Sequence, residues 1–136
     1  MQAMMLSEVG GPTGFYDWVD TQTQIPFLGG VQAQGDVLIV PAKASIGAGS
    51  TVVERHVDIV PPENGGHAHT LVVCPGTTAR IRWDETGDAN VIARVECDGP
   101  VVLTHMEHGG NGLVAGTYEF RRQVEWDGAE ERRVAD

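Results

Sequence analysis

The chain has 136 residues, of which 41% are hydrophobic, and its 9 Lys and Arg stand against 19 Asp and Glu, for a formal net charge of −10. This length suits one compact domain, and the hydrophobic fraction is enough for a core and too high for a disordered chain. The acidic balance argues against binding to nucleic acid or to an anionic membrane surface, because both need clustered Lys and Arg.

The cysteines and the N-terminus indicate an intracellular protein. Cys74 and Cys97 are too few for a disulfide scaffold and do not form a CxxC pair, so we expect two reduced, partly buried thiols. No window approaches roughly 18 consecutive apolar residues, so no transmembrane helix is expected. Residues 1–10 lack a basic region and a long apolar run, so a secretory signal is not predicted. We therefore expect a cytoplasmic protein with no membrane partner.

The first 33 residues differ in character from the rest of the chain. They contain an aromatic stretch at residues 15–18 and an apolar stretch at residues 25–28, with Gly and Pro between and around them. This pattern predicts an N-terminal arm, residues 1–33, with apolar anchors. Such anchors either pack on the chain's own domain or dock on another subunit. On the docking hypothesis we expect a homo-oligomer or a larger assembly.

Residues 34–136 have the pattern of a β domain. Short runs rich in β-branched residues alternate with turns that contain Gly or Pro. The predicted strands are Val37–Val40, Thr51–Val60, His67–Cys74, Thr78–Trp83, Asn90–Glu96, Val101–His105 and Thr117–Trp126. Seven short strands separated by turns predict a single all-β domain, a small β-barrel or β-sandwich. We expect Gly109–Gly112 to form a turn, and residues 129–136 to form one helical turn or a solvated end.

Four of the five histidines fall in two short motifs. His67 and His69 are two residues apart, so on an extended strand both imidazoles project from the same face. His105 and His108 enclose Glu107, and His108 can fold back if the chain turns after it. Several imidazoles with one carboxylate are a suitable ligand set for a divalent transition metal: zinc first, then iron, manganese, nickel or copper.

The metal hypothesis assigns a role to each residue. His67 and His69, with either His105 or His108, are the predicted ligands. Glu107 is a further ligand, or a catalytic general base for metal-bound water. Arg122 interrupts the apolar face of the last predicted strand, and its guanidinium could hold a carboxylate such as Glu107 behind the ligands. The fifth histidine, His56, is expected to lie outside the set.

Two other interpretations of the histidines stay open. They could be surface or hydrogen-bonded side chains near strand ends, with no metal. They could also titrate between roughly pH 5 and pH 7 and so make a binding module sensitive to pH. Under either interpretation the chain could be a structural or assembly protein, such as a component of a phage or prophage particle, whose arm docks on neighbouring subunits.

The ligand types resemble those of cupins, small β-barrels whose metal is held by an HxH pair, a Glu and a later His. The spacing differs, because in cupins the Glu follows the HxH closely, whereas residues 70–76 contain no acid here. The resemblance therefore implies a cupin-like ligand set on a small β fold.

A closer resemblance covers residues 34–136. Members of an uncharacterised family of small bacterial and phage-associated proteins carry GHAH, then HEEH, then GxYxxxRQxEY. The similar segments here are Gln34–Ile39, Gly66–His69, Leu103–His108, Gly116–Tyr118, Arg122–Trp126 and Arg133–Asp136. Met106 replaces the first Glu of HEEH, and Trp126 replaces the final Tyr. The resemblance implies no established activity, and residues 1–33 lie outside it.

Overall fold

The computed structural model describes residues 3–5, 24–62, 66–83, 89–127 and 130–133, and these form two six-stranded sheets and a two-stranded hairpin. The first sheet has the order β1-β2-β11-β10-β7-β6. Its strands are β1 (Ala3–Met5), β2 (Gln24–Leu28), β6 (His56–Val60), β7 (His69–Val73), β10 (Val101–His105) and β11 (Gly109–Leu113). Pairing within this sheet is antiparallel except between β2 and β11, which run parallel.

The second sheet has the order β3-β4-β12-β9-β8-β5 and is antiparallel throughout. Its strands are β3 (Gln32–Gln34), β4 (Val37–Ala42), β5 (Thr51–Val52), β8 (Ala79–Trp83), β9 (Val91–Cys97) and β12 (Gly116–Arg122). After this sheet, β13 (Val124–Asp127) and β14 (Glu130–Arg133) pair with each other.

The main core lies between the two sheets. Strand β9 shows why, because its side chains are alternately buried and half-buried along its whole length, as a strand with one face toward a core requires. Its fully buried members include Ile39, Leu71, Leu103 and Phe120. Strands β7 and β10 are buried on both faces, which explains their nearly continuous apolar sequences.

A second apolar cluster lies on the outer face of the first sheet. Val72 and Val102 alternate with core residues and so project outward, where Ile25 and Phe27 of β2 cover them. Gly112 of β11 faces β2 and has no side chain. A methyl group at this position would lie 2.6 Å from the carbonyl oxygen of Pro26 and 2.7 Å from the Phe27 ring. The glycine therefore lets β2 pack directly on the backbone of β11.

The prediction of an all-β domain is confirmed, and of the two predicted architectures the chain adopts the sandwich. In the described residues, neither sheet closes on itself into a barrel. Part of the predicted arm, Gln24–Leu28, is a strand of the first sheet with Ile25 and Phe27 buried. Residues 6–23 of that arm lie outside the described residues.

Several predicted elements have different limits in the structure. The run Thr51–Val60 is broken at residues 53–55 into β5 and β6, which belong to different sheets. The run Thr117–Trp126 is likewise divided at Gln123. The predicted turn Gly109–Gly112 is wrong, because all four residues pair with β10, and Gly112 also pairs with β2. The helical turn predicted in the tail is also wrong for Glu130–Arg133, which form β14.

Among the described residues, the structure contains no helix that is both long and apolar enough to span a bilayer.

Candidate functional site

The register of β7 and β10 brings the two histidine motifs together. Thr104 pairs with Thr70 in this antiparallel ladder, and the next residues toward the end of the sandwich are His105 and His69. Both imidazoles project toward the space between the sheets, as Leu71 does two residues along β7. Their side chains are almost fully buried, with 1% and 2% of their surface exposed for His69 and His105.

A tight turn brings His108 to the same place. His105 pairs with Gly109 across a three-residue turn at the β10–β11 hairpin. Gly109, directly after this turn, has φ of 80°, a left-handed conformation that glycine adopts without strain. The backbone N–H groups of Glu107 and His108 both donate to Nδ1 of His105, at 3.1 and 3.3 Å. The His105 side chain therefore caps the turn that carries the other two residues.

We call His67, His69, His105 and His108 the histidine cluster. The His69 and His105 ring centroids are 4.4 Å apart, and those of His105 and His108 are 4.5 Å apart, so His105 contacts both other rings. The rings of His69 and His108 lie 6.4 Å apart between centroids and are nearly parallel, with 11° between their planes. His67 stands edge-on to His105 at 5.9 Å. Of these rings, His69 and His105 are buried and His108 is exposed. His56 lies apart on the exposed face of β6.

Glu107 lies at the solvent end of this cluster. Its side chain is 64% exposed, and one carboxylate oxygen is 3.6 Å from Nε2 of His67, which is itself 41% exposed. The structure thus places Glu107, the predicted general base, beside the exposed His67. The buried imidazoles of His69 and His105 lie further from solvent.

Two residues that sequence reasoning missed, Gln34 and Asp36, meet His69 from the second sheet. They flank Gly35 in the two-residue hairpin turn between β3 and β4, where φ of Gly35 is 55°, as such turns require at their first central position. Oε1 of Gln34 is 3.0 Å from Nδ1 of His69. Oδ1 of Asp36 is 3.4 Å from Nε2 of the same ring.

Arg122 and Gln123 hold this turn from the end of β12. Arg122 donates from Nη1 to Oδ2 of Asp36 at 2.7 Å. The Arg122 side chain is 14% exposed and the Asp36 side chain 8%. The backbone N–H of Gln123 donates to the Asp36 carbonyl at 2.8 Å, and its side chain donates to the Gly35 carbonyl at 2.9 Å. The carboxylate that Arg122 contacts is therefore that of Asp36, whose other oxygen lies 3.4 Å from His69.

Hydrogen bonds fix the proton of His69. Nε2 of Gln34 donates to the Leu103 carbonyl at 2.7 Å and to Oδ1 of Asn111 at 2.9 Å, so its Oε1 must be the atom that faces His69. Because an amide oxygen only accepts, Nδ1 of His69 carries the proton and donates it. In the neutral imidazole, Nε2 of His69 then holds the lone pair and is aimed toward Asp36.

His105 has the opposite arrangement. Its Nδ1 accepts two backbone N–H groups, so in the neutral ring the proton is on Nε2. A metal ion needs a nitrogen lone pair. His105 can offer one only by leaving the turn that it caps, so the two buried histidines differ sharply in what they can bind.

The potential metal-ligand atoms of the histidine cluster do not converge on one point in this structure. In the part of the chain that the structure describes, no group of three or more His, Cys, Asp or Glu side chains is arranged to hold a metal ion. His69 and Asp36 are the two donors that already face one another. A third would have to come from His67 or His108, whose exposed side chains can turn.

The two cysteines lie away from this site and have no reactive character. Both are free and buried, as the sequence predicts. Burial raises the pKa of the Cys74 thiol to about 11, and the neighbouring Cys97 adds to this. Since the thiolate is the nucleophile, both burial and pKa make Cys74 unsuited to nucleophilic chemistry near neutral pH.

Comparison with known proteins is informative at the level of the family. Residues 33–123 match a family model described as a domain of unknown function, DUF8820. A search of curated proteins finds no match, and a search of solved structures finds none either. The matched segment contains all four cluster histidines together with Gln34, Asp36, Arg122 and Gln123. Because the match covers well over half of the chain, the chain belongs to the DUF8820 family of domains of unknown function.

Proposed function

We propose that this domain binds a divalent transition metal ion at the histidine cluster. The observation that carries the proposal is the geometry of His69: its Nδ1–H is held by Gln34, and its Nε2 is directed toward the carboxylate of Asp36. Metal-binding histidines generally have this arrangement, in which the second ring nitrogen donates to a protein oxygen and so fixes the tautomer.

The donor types favour a divalent first-row transition metal. Imidazole nitrogens with one or two carboxylates suit zinc, copper, nickel and iron, whereas calcium and magnesium prefer all-oxygen sites. We propose zinc first. His67 and His108 lie at the exposed side of the cluster, 5.9 and 4.5 Å from His105 between ring centroids, and they are the further ligands.

Glu107 stays the candidate general base. A bound zinc ion would supply an acidic water, whose pKa in such sites is roughly 7. The Glu107 carboxylate lies at the exposed edge of the cluster, within 3.6 Å of His67, and so can accept a proton from a water that enters there. The proposal extends to metal binding and this proton acceptor, and it names no substrate.

Metal content is the direct test. Protein purified without a histidine tag is dialysed against zinc chloride and then metal-free buffer, and bound zinc is measured by elemental analysis. We expect about one equivalent per chain, and loss of that zinc in the variant His67→Ala/His108→Ala, whose two side chains are exposed and not needed for the core. His56→Ala is the matched control and should keep the metal. Wild-type protein that retains no zinc would refute the proposal.

A second proposal concerns assembly. Leu28 and Val31, at the end of β2 and just after it, expose 40% and 64% of their surfaces. Adjacent exposed apolar side chains are a feature of contact surfaces between subunits. We propose that this segment contacts another copy in a homo-oligomer. Light scattering on the full chain should then give a multimer that Val31→Asp dissociates, and a monomeric wild type would contradict this.

A further inference from the structure

We infer that the inner ligands of the proposed metal site are His69 and Asp36, and that His105 is not a ligand. This inference rests on the proposed function, and it names which residues of the proposed metal site bind the ion. The sequence motifs predict His67 and His69 as ligands and leave His105, His108 and Glu107 as alternatives for the remaining positions. The contacts of the folded chain separate these candidates.

The distance between the two donor atoms carries the first step. Nε2 of His69 and Oδ1 of Asp36 are 3.4 Å apart. A charge-assisted hydrogen bond between an imidazolium and a carboxylate is shorter, roughly 2.7–2.9 Å. Two ligands at about 2.1 Å from one tetrahedral ion are roughly 3.4 Å apart. The observed 3.4 Å matches the separation of two ligands on one ion and exceeds that of a charge-assisted hydrogen bond.

The second step is that the two oxygens of the Asp36 carboxylate have different contacts. Arg122 takes Oδ2 at 2.7 Å, and Gln123 holds the backbone of the same turn. Oδ1 is thereby fixed on the side of His69. A carboxylate whose second oxygen is hydrogen-bonded in this way is oriented before the ion arrives.

The third step removes His105 from the ligand set. Its Nδ1 accepts the N–H groups of Glu107 and His108, so its neutral ring carries the proton on Nε2. Using either nitrogen for a metal would break the turn or require loss of that proton. We therefore assign His105 a positioning role, in which it shapes the turn that presents His108.

Nuclear magnetic resonance on the wild-type chain tests the inference without a substitution. Imidazole nitrogen shifts of the five histidines, and carboxyl carbon shifts of Asp36 and Glu107, are recorded with and without one equivalent of zinc chloride. In the metal-free protein we expect His69 to be protonated on Nδ1 and His105 on Nε2. With zinc, Nε2 of His69 and the Asp36 carboxyl carbon should shift, and the His105 nitrogens should stay in place.

Zinc affinity provides a second, independent measurement. In competition with a chromophoric chelator, Asp36→Asn should bind zinc at least about tenfold more weakly, since the amide keeps the shape and loses the anionic ligand. Glu107→Gln should be affected less than Asp36→Asn. The control Asp58→Asn changes a carboxylate whose partner is Thr70 on β7, outside the proposed ligand set.

The outcomes separate this inference from the proposed function. Zinc that shifts none of the histidines overturns the proposed function and this inference together. Zinc that shifts His105 and Glu107 while His69 and Asp36 stay in place leaves metal binding intact and overturns the inference alone. A Glu107→Gln variant weakened more than Asp36→Asn has the same meaning.

Discussion

Nδ1 of His69 lies 3.0 Å from Oε1 of Gln34, so a histidine on β7 of the first sheet is held by a glutamine on β3 of the second. The same glutamine donates to the Leu103 carbonyl and to the Asn111 side chain, both in the first sheet. It is only 2% exposed. One buried amide thus joins the two layers of the sandwich at the site and also fixes the tautomer of the histidine that we propose as a ligand.

The first prediction concerns this amide. Gln34→Leu removes the acceptor for His69 and the donor for Leu103, and each buried polar group left without its partner costs about 1–3 kcal/mol. We expect the free energy of unfolding in urea to fall by about 2–4 kcal/mol. Gln32→Leu is the control, because Gln32 also bonds across to β11 but is only half-buried, so water can replace its contacts. An equal loss in both variants would contradict a special role for Gln34.

The second prediction concerns the pair of Asp36 and Arg122. Arg122→Met takes the guanidinium away from a carboxylate that is 8% exposed, and breaking such a buried pair costs about 3–5 kcal/mol. The double variant Arg122→Met/Asp36→Asn should recover part of this, because the buried charge has gone. A double-mutant cycle in urea measures the recovery, which we expect to be about 1–3 kcal/mol.

A partly buried ion pair with a second cation beside it supplies the comparison for this cycle. Arg94 and Glu119 form an ion pair on the second sheet, with 35% and 17% of their side chains exposed. Arg94→Met should cost less than Arg122→Met, because Arg94 is more exposed and Glu119 keeps its ion pair with Arg121. Additive losses at Asp36 and Arg122, with no recovery in the double variant, would show that the two residues do not stabilise each other.

The fold class and the meeting of the histidine motifs follow from local sequence patterns. Alternating apolar residues and β-branched runs predict β9, and the spacing of His67 and His69 predicts imidazoles on one side of a strand. The sequence could not show that residues 34–36 join them. Asp36 and Arg122 are 86 residues apart, and only the pairing of β4 with β12 brings them together. The nearest sequence signal is the resemblance to a family that shares Gln34–Ile39 and Arg122–Trp126.

The glycine-rich strand shows a different limit of local patterns. Glycine has a low strand propensity, so Gly109–Gly112 reads as a turn. It is a strand because partners on both sides bond to its backbone. The break at residues 53–55 has a similar cause, since the chain leaves one sheet for the other within an otherwise continuous apolar pattern.

The third prediction tests the packing of β2 on this strand. Gly112→Ala places a methyl group 2.6 Å from the Pro26 carbonyl oxygen and 2.7 Å from the Phe27 ring, and overpacking of this kind costs about 1–3 kcal/mol. We expect a lower melting temperature and faster proteolysis near residues 24–28. Gly30→Ala is the control, because a methyl group there meets nothing within 4 Å. The packing argument fails if both variants melt alike.

The last prediction concerns pH and the buried thiols. The pKa of Cys74 rises from an ordinary 9.0 to about 11 in the folded chain, chiefly because burial disfavours the thiolate. The folded state therefore keeps its proton at pH values where the unfolded chain has lost it. The resulting stability is complete below about pH 9 and is lost as the pH rises toward about 11. Burial raises the pKa values of Cys97 and Tyr118 in the same direction, so the full chain should lose stability steeply in this window.

Urea unfolding at a series of pH values from about 8 to 10.5 measures the slope. Cys74→Ala should be less stable at about pH 8, because a core group has been removed, and it should lose less on going to high pH. If its stability falls as steeply as that of the wild type, the Cys74 thiol is not the group that titrates.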